Sequence, residues 1–237
     1  SREIGRLEGA KAIWPSLKLR RAHQIKTIQA SLAIEGNTLS VAQITAILEG
    51  KRVLGPIKDI QEAQNALRTY AVIDQLNPLS LKSLLKAHSM IMHGLVEQAG
   101  QLRTTDVGIF KEGQVVHIAP PAKQVPRLIE DLLSFLKQAK NVSNLLKSCI
   151  CHYELEFIHP FIDGNGRIGR LWQQLFLIKE HPLFQFLAIE ELVRENQNEY
   201  YKALSQSDQE GSATSFIVFM LQIIQKAIQQ YAPPLHS

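Results

Sequence analysis

Apolar residues recur every three or four positions along most of this chain, and that spacing predicts amphipathic α-helices. Ser40 and Gln43 form a capping box at the start of one of them. Because helical periodicity covers so much of the sequence, we predict an all-α fold. The helices are expected at about 19–34, 40–50, 60–77, 80–94, 128–136, 144–158, 165–180, 189–204 and 213–230.

One segment, at about 101–121, departs from this pattern. Two short β-prone runs, 105–110 and 115–118, flank a turn that contains Gly113. This arrangement predicts a small β-hairpin. A surface loop without a role in function is the alternative, because long insertions are tolerated at protein surfaces.

The composition is that of a globular protein with a substantial core: 237 residues, 45% hydrophobic and 20% charged. The formal net charge is +4 with Lys and Arg scattered, so we do not expect nucleic acid as a partner. Cys149 and Cys151 lie two apart in an apolar helical stretch and are expected to be core residues. We find no membrane-spanning apolar run and no secretory pattern, and we expect a cytoplasmic protein without a membrane partner.

The run HPFIDGNGRIGR, from His159 to Arg170, stands immediately before an apolar helical pattern. Gly164, Asn165 and Gly166 make a tight turn into that helix. A helix start offers unpaired backbone N–H groups and the positive end of the helix dipole, so the turn can hold phosphate oxygens.

Charged and titratable side chains accompany this turn. Arg167 and Arg170 are three positions apart and share one helix face, where guanidinium groups suit polyphosphate oxygens. Asp163 can bind Mg²⁺ through a carboxylate oxygen, and His159 can act as a base near neutral pH. Taken singly, these features also have structural interpretations: a helix-end histidine, a turn, and a solvated pair of arginines.

The whole run resembles the signature of the Fic family, His-Pro-Phe-x-(Asp/Glu)-Gly-Asn-Gly-Arg-x-x-Arg, and matches it at every fixed position. The resemblance implies a Fic-type helical bundle in which the hairpin, at about 101–121, is a flap over the active site. Such a flap would hold the backbone of a target protein by strand addition. The residues on either side of the hairpin, 102–105 and 120–121, also resemble the family.

An upstream segment, SLAIEGN from Ser31 to Asn37, stands at the end of the first predicted helix. Gly36 and Asn37 are typical of a helix C-terminus, where the carboxylate of Glu35 is unfavourable beside the negative end of the dipole. The segment resembles the family's inhibitory motif, (Ser/Thr)-x-x-x-Glu-(Gly/Asn). The resemblance implies that Ser31, Glu35 and Gly36 are regulatory and that Glu35 pairs with Arg170. An exposed Glu35 without such a role is the alternative.

The resemblance implies an enzyme that transfers AMP from ATP to a Ser, Thr or Tyr hydroxyl of a protein. In that scheme His159 deprotonates the hydroxyl, Asp163 holds Mg²⁺ and Arg170 binds the γ-phosphate. Arg167 would support the phosphates. The anion hole would consist of the backbone of Gly164, Asn165 and Gly166 together with the Asn165 side chain.

The same resemblance places the adenine near Tyr200, Tyr201 and the hairpin residue Val115, although aromatic and β-branched residues at such positions are as often core. Phosphate-transferring relatives carry Lys where this chain has Gly166, and this difference argues against that reaction. Three alternatives stay open: removal of AMP with Glu35 positioning a water, transfer of another nucleotidyl group, and a catalytically silent nucleotide-sensing module.

The expected organisation has two parts that pack as one compact unit. Residues 1–95 form a helical region that carries the inhibitory helix, at about 19–37. Residues 96–237 form the Fic core with the flap, the signature loop at 159–170 and the last helices. ATP and a target protein are the expected partners, and both self-modification and homo-oligomerisation stay open.

Overall fold

The structure is a computed structural model that describes residues 17–111 and 114–231, with side chains described for 19–108 and 119–231. Helices form nearly all of its regular structure, which confirms the predicted all-α class. They are α1 Leu17–Ile34, α2 Val41–Leu48, α3 Ile57–Tyr70, α4 Leu81–Ile91, α5 Val125–Gln138, α6 Asn144–Ile158, α7 Asn165–Glu180, α8 Ile189–Glu195, α9 Gln197–Glu210 and α10 Thr214–Tyr231. Short 3-10 turns cover Ile73–Gln75, Ala122–Gln124 and Pro182–Phe186.

Helix α3 is shorter than its sequence pattern indicates. The pattern predicts a helix as far as Asn77 and Pro78, but α3 ends at Tyr70 and Ile73 begins a separate turn. Nε2 of Gln24 in α1 donates to the Tyr70 carbonyl at 3.1 Å. A tertiary hydrogen bond therefore satisfies a carbonyl of the last turn of α3. The periodicity of the α3 sequence cannot predict this bond, because its donor lies in α1.

The helix predicted at 189–204 is two helices, α8 and α9, separated at Asn196. The backbone of Asn196 leaves the helical region, with φ −113° and ψ 39°. Its Nδ2 donates to the Leu192 carbonyl at 2.7 Å. Asparagine side chains compete for backbone groups in this way, and here the competition ends α8.

Strands β1, Gly108–Lys111, and β2, Gln114–Ile118, pair antiparallel in the segment where the sequence predicts a hairpin. Gly108 lies opposite Ile118, and the register shifts between Ile109 and Phe110. Strand β2 lies beside α9. Val115 belongs to β2, but its side chain lies outside the described residues, so its contact with adenine stays a prediction, as does the role of the hairpin as a flap.

Helices α6 and α7 pack against each other and stand between two apolar clusters. One cluster joins them to α1, α3, α4 and α5, and the other joins them to α8, α9 and α10. Cys149 and Cys151 are buried free thiols, one in each cluster, as their apolar setting predicts. The loop between α6 and α7, residues 159–164, is therefore anchored at both ends by the core. Within the described ranges, no helix is both long and apolar enough to cross a membrane.

Helix α1 ends in a Schellman motif. The N–H of Asn37 donates to the Leu32 carbonyl at 3.1 Å, and that of Gly36 donates to the Ala33 carbonyl at 3.0 Å. Gly36 supplies the left-handed conformation that this motif requires, with φ 88°. The helix stop that the sequence predicts at Gly36 and Asn37 is confirmed, and Glu35 becomes the C-cap residue of α1.

Candidate active site

His159 follows the last residue of α6 and has a left-handed backbone, with φ 50° and ψ 60°. Non-glycine residues avoid this conformation because Cβ crowds the following carbonyl. The N–H of His159 still donates to the Leu155 carbonyl at 3.1 Å. The chain therefore leaves α6 abruptly and enters the loop that leads to α7.

The environment of the imidazole fixes its tautomer. Nδ1 of His159 lies 3.3 Å from the carbonyl oxygen of Glu156, and a carbonyl can only accept a hydrogen bond. Nδ1 therefore carries the hydrogen in the neutral ring, and Nε2 carries the lone pair that can take a proton.

Gly164 and Asn165 build the turn into α7. Gly164 has φ 87°, and a Cβ placed on it would collide with the Met92 side chain. The Asn165 side chain is buried and bonds twice with the Phe161 backbone: Oδ1 accepts from its N–H and Nδ2 donates to its carbonyl, both at 2.9 Å. The Asn165 side-chain amide therefore closes the loop, and its part in an anion hole stays a prediction. The first N–H to donate within α7 is that of Ile168, to the Gly164 carbonyl at 3.0 Å, so the N–H groups of Asn165, Gly166 and Arg167 have no acceptor inside the helix.

Arg170 lies on α7 one turn after Gly166, and its guanidinium is held by Ser31 and Glu35. Nη2 donates to Oε1 of Glu35 at 2.6 Å and to the Ser31 carbonyl at 3.0 Å. Nε donates to Oγ of Ser31 at 3.0 Å. Burial alone would lower the pKa of Arg170, but the carboxylates of Glu35 and Glu156 raise it above its usual value. Arg170 is therefore a fixed cation.

Glu35 occupies the space beside the start of α7. A Cβ on Gly166 would overlap Oε1 of Glu35, so the approach depends on glycine at this position. About 28% of the Glu35 side chain is exposed, compared with 2% for Arg170. The pair that the resemblance implies is therefore present as a contact, with the carboxylate on the open side and the guanidinium buried.

A cavity of about 210 Å³ opens between the α6–α7 loop and α9. Its volume is below that usual for a site that holds a drug-sized ligand, and Glu35 is among the residues that line it. Most of the predicted site residues line it, together with several that the sequence did not single out. The lining consists of Glu35, Glu156, Phe157, His159, Ile162, Asp163, Gly164, Asn165, Gly166, Arg170, Tyr200, Tyr201, Leu204, Ser205 and Asp208.

Arg167 does not line this cavity. It is 4% exposed, its Nη1 donates to Oε1 of Glu62 at 2.8 Å, and its Nη2 donates to Oδ1 of Asp163 at 3.0 Å. The spacing of Arg167 and Arg170 predicts a shared helix face, but the two side chains bind different carboxylates. Arg167 therefore supports Asp163, and its contact with phosphates stays a prediction.

Asp163 is the carboxylate predicted to hold Mg²⁺. Its Oδ1 accepts from Arg167 and from the N–H of Gly164 at 2.6 Å, and 47% of the side chain is exposed. Among the described residues, no group of three or more His, Cys, Asp and Glu side chains is placed to hold a metal ion. A single exposed carboxylate fits the manner in which Mg²⁺ binds to one protein oxygen together with substrate phosphates and waters.

His88 in α4 positions the backbone of this carboxylate. Its Nδ1 accepts from the Gly100 N–H at 2.8 Å, so Nε2 carries the hydrogen and donates to the Asp163 carbonyl at 2.9 Å. The ring stacks on Phe161 with centroids 3.7 Å apart. Burial lowers the pKa of His88, which matches a ring that must stay neutral to accept from Gly100.

Glu156 is a site residue that sequence reasoning missed. Burial opposes its ionisation, but a bond with His152 and the charges of His159 and Arg170 hold its pKa below the usual value. The hydroxyl of Tyr200 donates to Glu156 Oε1 at 3.3 Å. Glu156 precedes His159 by three positions near the end of the helix that leads into the signature, and this proximity is the signal that could have identified it.

The two tyrosines predicted beside adenine differ in exposure. Tyr200 is 1% exposed, with its hydroxyl directed to Glu156 and, at 3.0 Å, to Nε2 of His152. Tyr201 is partly buried at the cavity. Of the two, Tyr201 is the one with ring surface available to a ligand.

The Fic/DOC family model matches residues 78–177 of the chain. A crystal structure of a Fic family protein from Desulfovibrio desulfuricans is 46% identical, with a TM-score of 0.90 over 97% of this chain and 71% of that one. The chain belongs to the Fic family. This confirms the resemblance based on the signature.

Two curated relatives of this Fic chain are protein adenylyltransferase fic-1 of Caenorhabditis elegans, 29% identical over 213 residues, and protein adenylyltransferase Fic of Aedes aegypti, 28% identical over 234 residues. The matches cover 85% and 91% of this chain, and 40% and 44% of the relatives. The chain thus spans less than half the length of these two relatives.

Proposed function

We propose that this Fic chain is a protein adenylyltransferase that moves AMP from ATP to a Ser, Thr or Tyr hydroxyl of a protein and that Glu35 restrains it. The names of the relatives support the reaction class. The contact that carries the proposal is the 2.6 Å bond from Arg170 to Glu35, in a cavity also lined by His159 and Asp163.

The reaction follows from the placement of these groups. The triphosphate lies against the first N–H groups of α7, where the helix dipole favours negative charge. Nε2 of His159 takes the proton of the target hydroxyl as that oxygen attacks the α-phosphorus. The bond from the α-phosphorus to the bridging oxygen breaks, and pyrophosphate leaves with the electron pair. Tyr201 contacts the adenine side of the nucleotide.

The residue that would hold Mg²⁺ is Asp163, kept in place by Arg167 and His88. A bound Mg²⁺ ion neutralises phosphate charge and orients the triphosphate. Arg170 is the group of this chain that meets the γ-phosphate.

Glu35 restrains the reaction by occupying Arg170. While the guanidinium donates to Glu35 and Ser31, it is not directed at the γ-phosphate, and ATP binds with its α-phosphate out of line. The hairpin acts as the flap that holds the target by strand addition, with Val115 against the adenine.

A second candidate activity is removal of AMP from a modified protein. Glu35 is partly exposed at the cavity and not buried behind Arg170. This placement allows its carboxylate to position a water for attack on the phosphodiester.

The test compares two helix-end carboxylates. Glu35→Gly, incubated with Mg²⁺ and ATP labelled at the α-phosphate, should label itself or added protein at least about tenfold faster than wild type, because misplaced reactants lose about 10² in rate. Glu49 is the matched control: it is the C-cap of α2 and precedes Gly50, yet it pairs with exposed Lys51. Glu49→Gly should leave labelling unchanged.

Further variants separate the candidate activities. The double variant Glu35→Gly with His159→Ala should bind ATP without transferring AMP. The double variant Glu35→Gly with Arg170→Ala should lose the increase in labelling rate that Glu35→Gly produces. A nucleotide-sensing module would bind ATP and label nothing in any variant. If the enzyme removes AMP, the wild-type protein should release AMP from prelabelled protein, and the Glu35→Gly variant should not.

A further inference from the structure

Arg103 lies between α4 and β1 and is 2% exposed. Burial lowers its pKa, and the charge of Asp106 opposes this effect only in part. A buried guanidinium needs partners for its N–H groups, since leaving them unsatisfied costs free energy. Among the described residues, its side-chain hydrogen bonds all end on main-chain carbonyls.

These carbonyls belong to two separate segments. On one side Nε donates to His159 at 2.7 Å and Nη2 donates to Ile158 at 3.3 Å. On the other side Nη1 donates to Thr105 at 2.9 Å and Nη2 donates to Pro120. The backbone N–H of Arg103 also donates to the Pro160 carbonyl at 2.9 Å. One side chain therefore ties the start of the signature to both ends of the hairpin.

The bond to His159 acts on a strained residue. A left-handed non-glycine backbone persists only where surrounding contacts determine it, and Arg103 binds the carbonyls of both His159 and Pro160. The peptide groups on either side of the His159 Cα carry the carbonyls of Ile158 and His159, and Arg103 donates to both, so its bonds fix the direction in which Cβ of His159 leaves the chain, and hence the imidazole.

We propose that Arg103 is a positioning residue that holds His159 in its left-handed conformation and sets its distance from the base of the hairpin. The inference rests on the proposed function, because His159 acts as a base only in that reaction. Arg103 does not line the cavity, so its role concerns the transfer step and not the binding of ATP. Lysine cannot replace it fully, since an ammonium lacks the planar fork that reaches four carbonyls.

The test uses Arg103→Lys and Arg103→Met in the Glu35→Gly background. ATP titration by calorimetry gives both affinity and the number of competent sites, and the labelling rate is expressed per competent site. We expect the rate to fall about 100-fold for Arg103→Met and about tenfold for Arg103→Lys, with the ATP dissociation constant unchanged within about twofold.

Trp172→Phe is the matched control, because it removes a buried bond from Nε1 to the Pro78 carbonyl elsewhere in the core. It should lower the melting temperature and leave the rate per competent site unchanged. If Arg103→Met does not fold, Arg103→Lys decides the question. An unchanged rate per competent site, or equal losses of rate and ATP affinity, would overturn the positioning role. If the Glu35→Gly parent itself labels nothing, the proposed function is wrong instead.

Discussion

Glu62 binds the guanidinium of Arg167 at 2.8 Å, across 105 positions of sequence. Its second carboxylate oxygen accepts from Nδ2 of Asn37, also at 2.8 Å. Asn37 follows Glu35 by two positions, and Arg167 also donates to Asp163. Through Arg167, one buried carboxylate therefore connects the end of α1 with Asp163, the residue predicted to hold Mg²⁺.

Glu62→Gln should weaken the use of Mg²⁺. Without the charge of Glu62, Arg167 is neutralised by Asp163 alone, and a carboxylate engaged in this way attracts a second cation less. In the Glu35→Gly background we expect the Mg²⁺ concentration for half-maximal labelling to rise about fivefold, and the free energy of unfolding to fall by about 3 kcal/mol. Mg²⁺ titration and urea unfolding measure the two effects. Glu130→Gln, at an exposed position of α5, is the control and should change neither. Equal Mg²⁺ requirements in the two variants would refute the link.

Gly164→Ala should disrupt the signature turn. A left-handed alanine costs about 1–2 kcal/mol by itself, and here the added methyl also meets Met92. Gly211 has φ 59° with no atom within 4 Å of an added Cβ, so Gly211→Ala incurs the backbone cost alone. We expect urea unfolding to show a loss at least about 2 kcal/mol greater for Gly164→Ala than for Gly211→Ala. Similar losses for the two variants would mean that the turn relaxes around the methyl group.

Features carried by neighbouring residues were predictable from the sequence. The capping box of Ser40 and Gln43 and the stop after Glu35 are complete within a few positions, and both are confirmed. The signature was equally readable because its parts are contiguous from His159 to Arg170.

Long-range polar contacts were not predictable in the same way. The partners of Arg103 are main-chain carbonyls up to 56 positions away, and main-chain groups leave no mark on the pattern of side chains. Glu62 did leave a signal, because it precedes buried Ala66 by four positions and so puts a charge in the apolar stripe of α3. Its partner Arg167 could not be inferred without the fold.

Substitutions of Tyr201 and Tyr200 should have different effects, the first on ATP binding and the second on stability. Tyr201→Ala removes a ring at the cavity and should raise KM for ATP about tenfold with little change in kcat, as expected for binding shared by ground and transition states. Tyr200→Phe keeps its buried ring and loses the bonds to Glu156 and His152, so it should lower stability by about 1 kcal/mol and leave KM unchanged. Steady-state kinetics and thermal unfolding distinguish them. An unchanged KM for Tyr201→Ala would make this tyrosine a core residue.

Because of the Glu190 carboxyl group, the free energy of unfolding should fall as the pH rises. Burial raises its pKa to about 7, above the ordinary 4.5, and Oε2 has no hydrogen-bond partner among the described residues. Between these two values the folded state keeps a proton that the unfolded chain has lost. The contribution is therefore fully present below the unfolded pKa and is lost as pH rises through the folded one.

This group alone should lower the free energy of unfolding by about 3 kcal/mol between about pH 5 and pH 8. Glu190→Gln should flatten that dependence, and Glu191→Gln, its partly exposed neighbour, should not. Urea unfolding across this pH range provides the measurement. Parallel curves for wild type and Glu190→Gln would show that Glu190 is ionised in the folded protein.

Two ion pairs join the N-terminal helices to α7. Glu35, at the end of α1, and Glu62, in α3, each meet one arginine of α7, where Arg170 is 2% and Arg167 is 4% exposed. A chain that began after residue 62 would lose both carboxylates together with α1, α2 and the first part of α3, whose apolar side chains belong to the core. Under the proposed function, Glu35→Gly removes the restraint by exchanging a single side chain and leaves these helices in place. Excision would remove core side chains together with the carboxylate, so we expect the truncated chain to be less stable than Glu35→Gly.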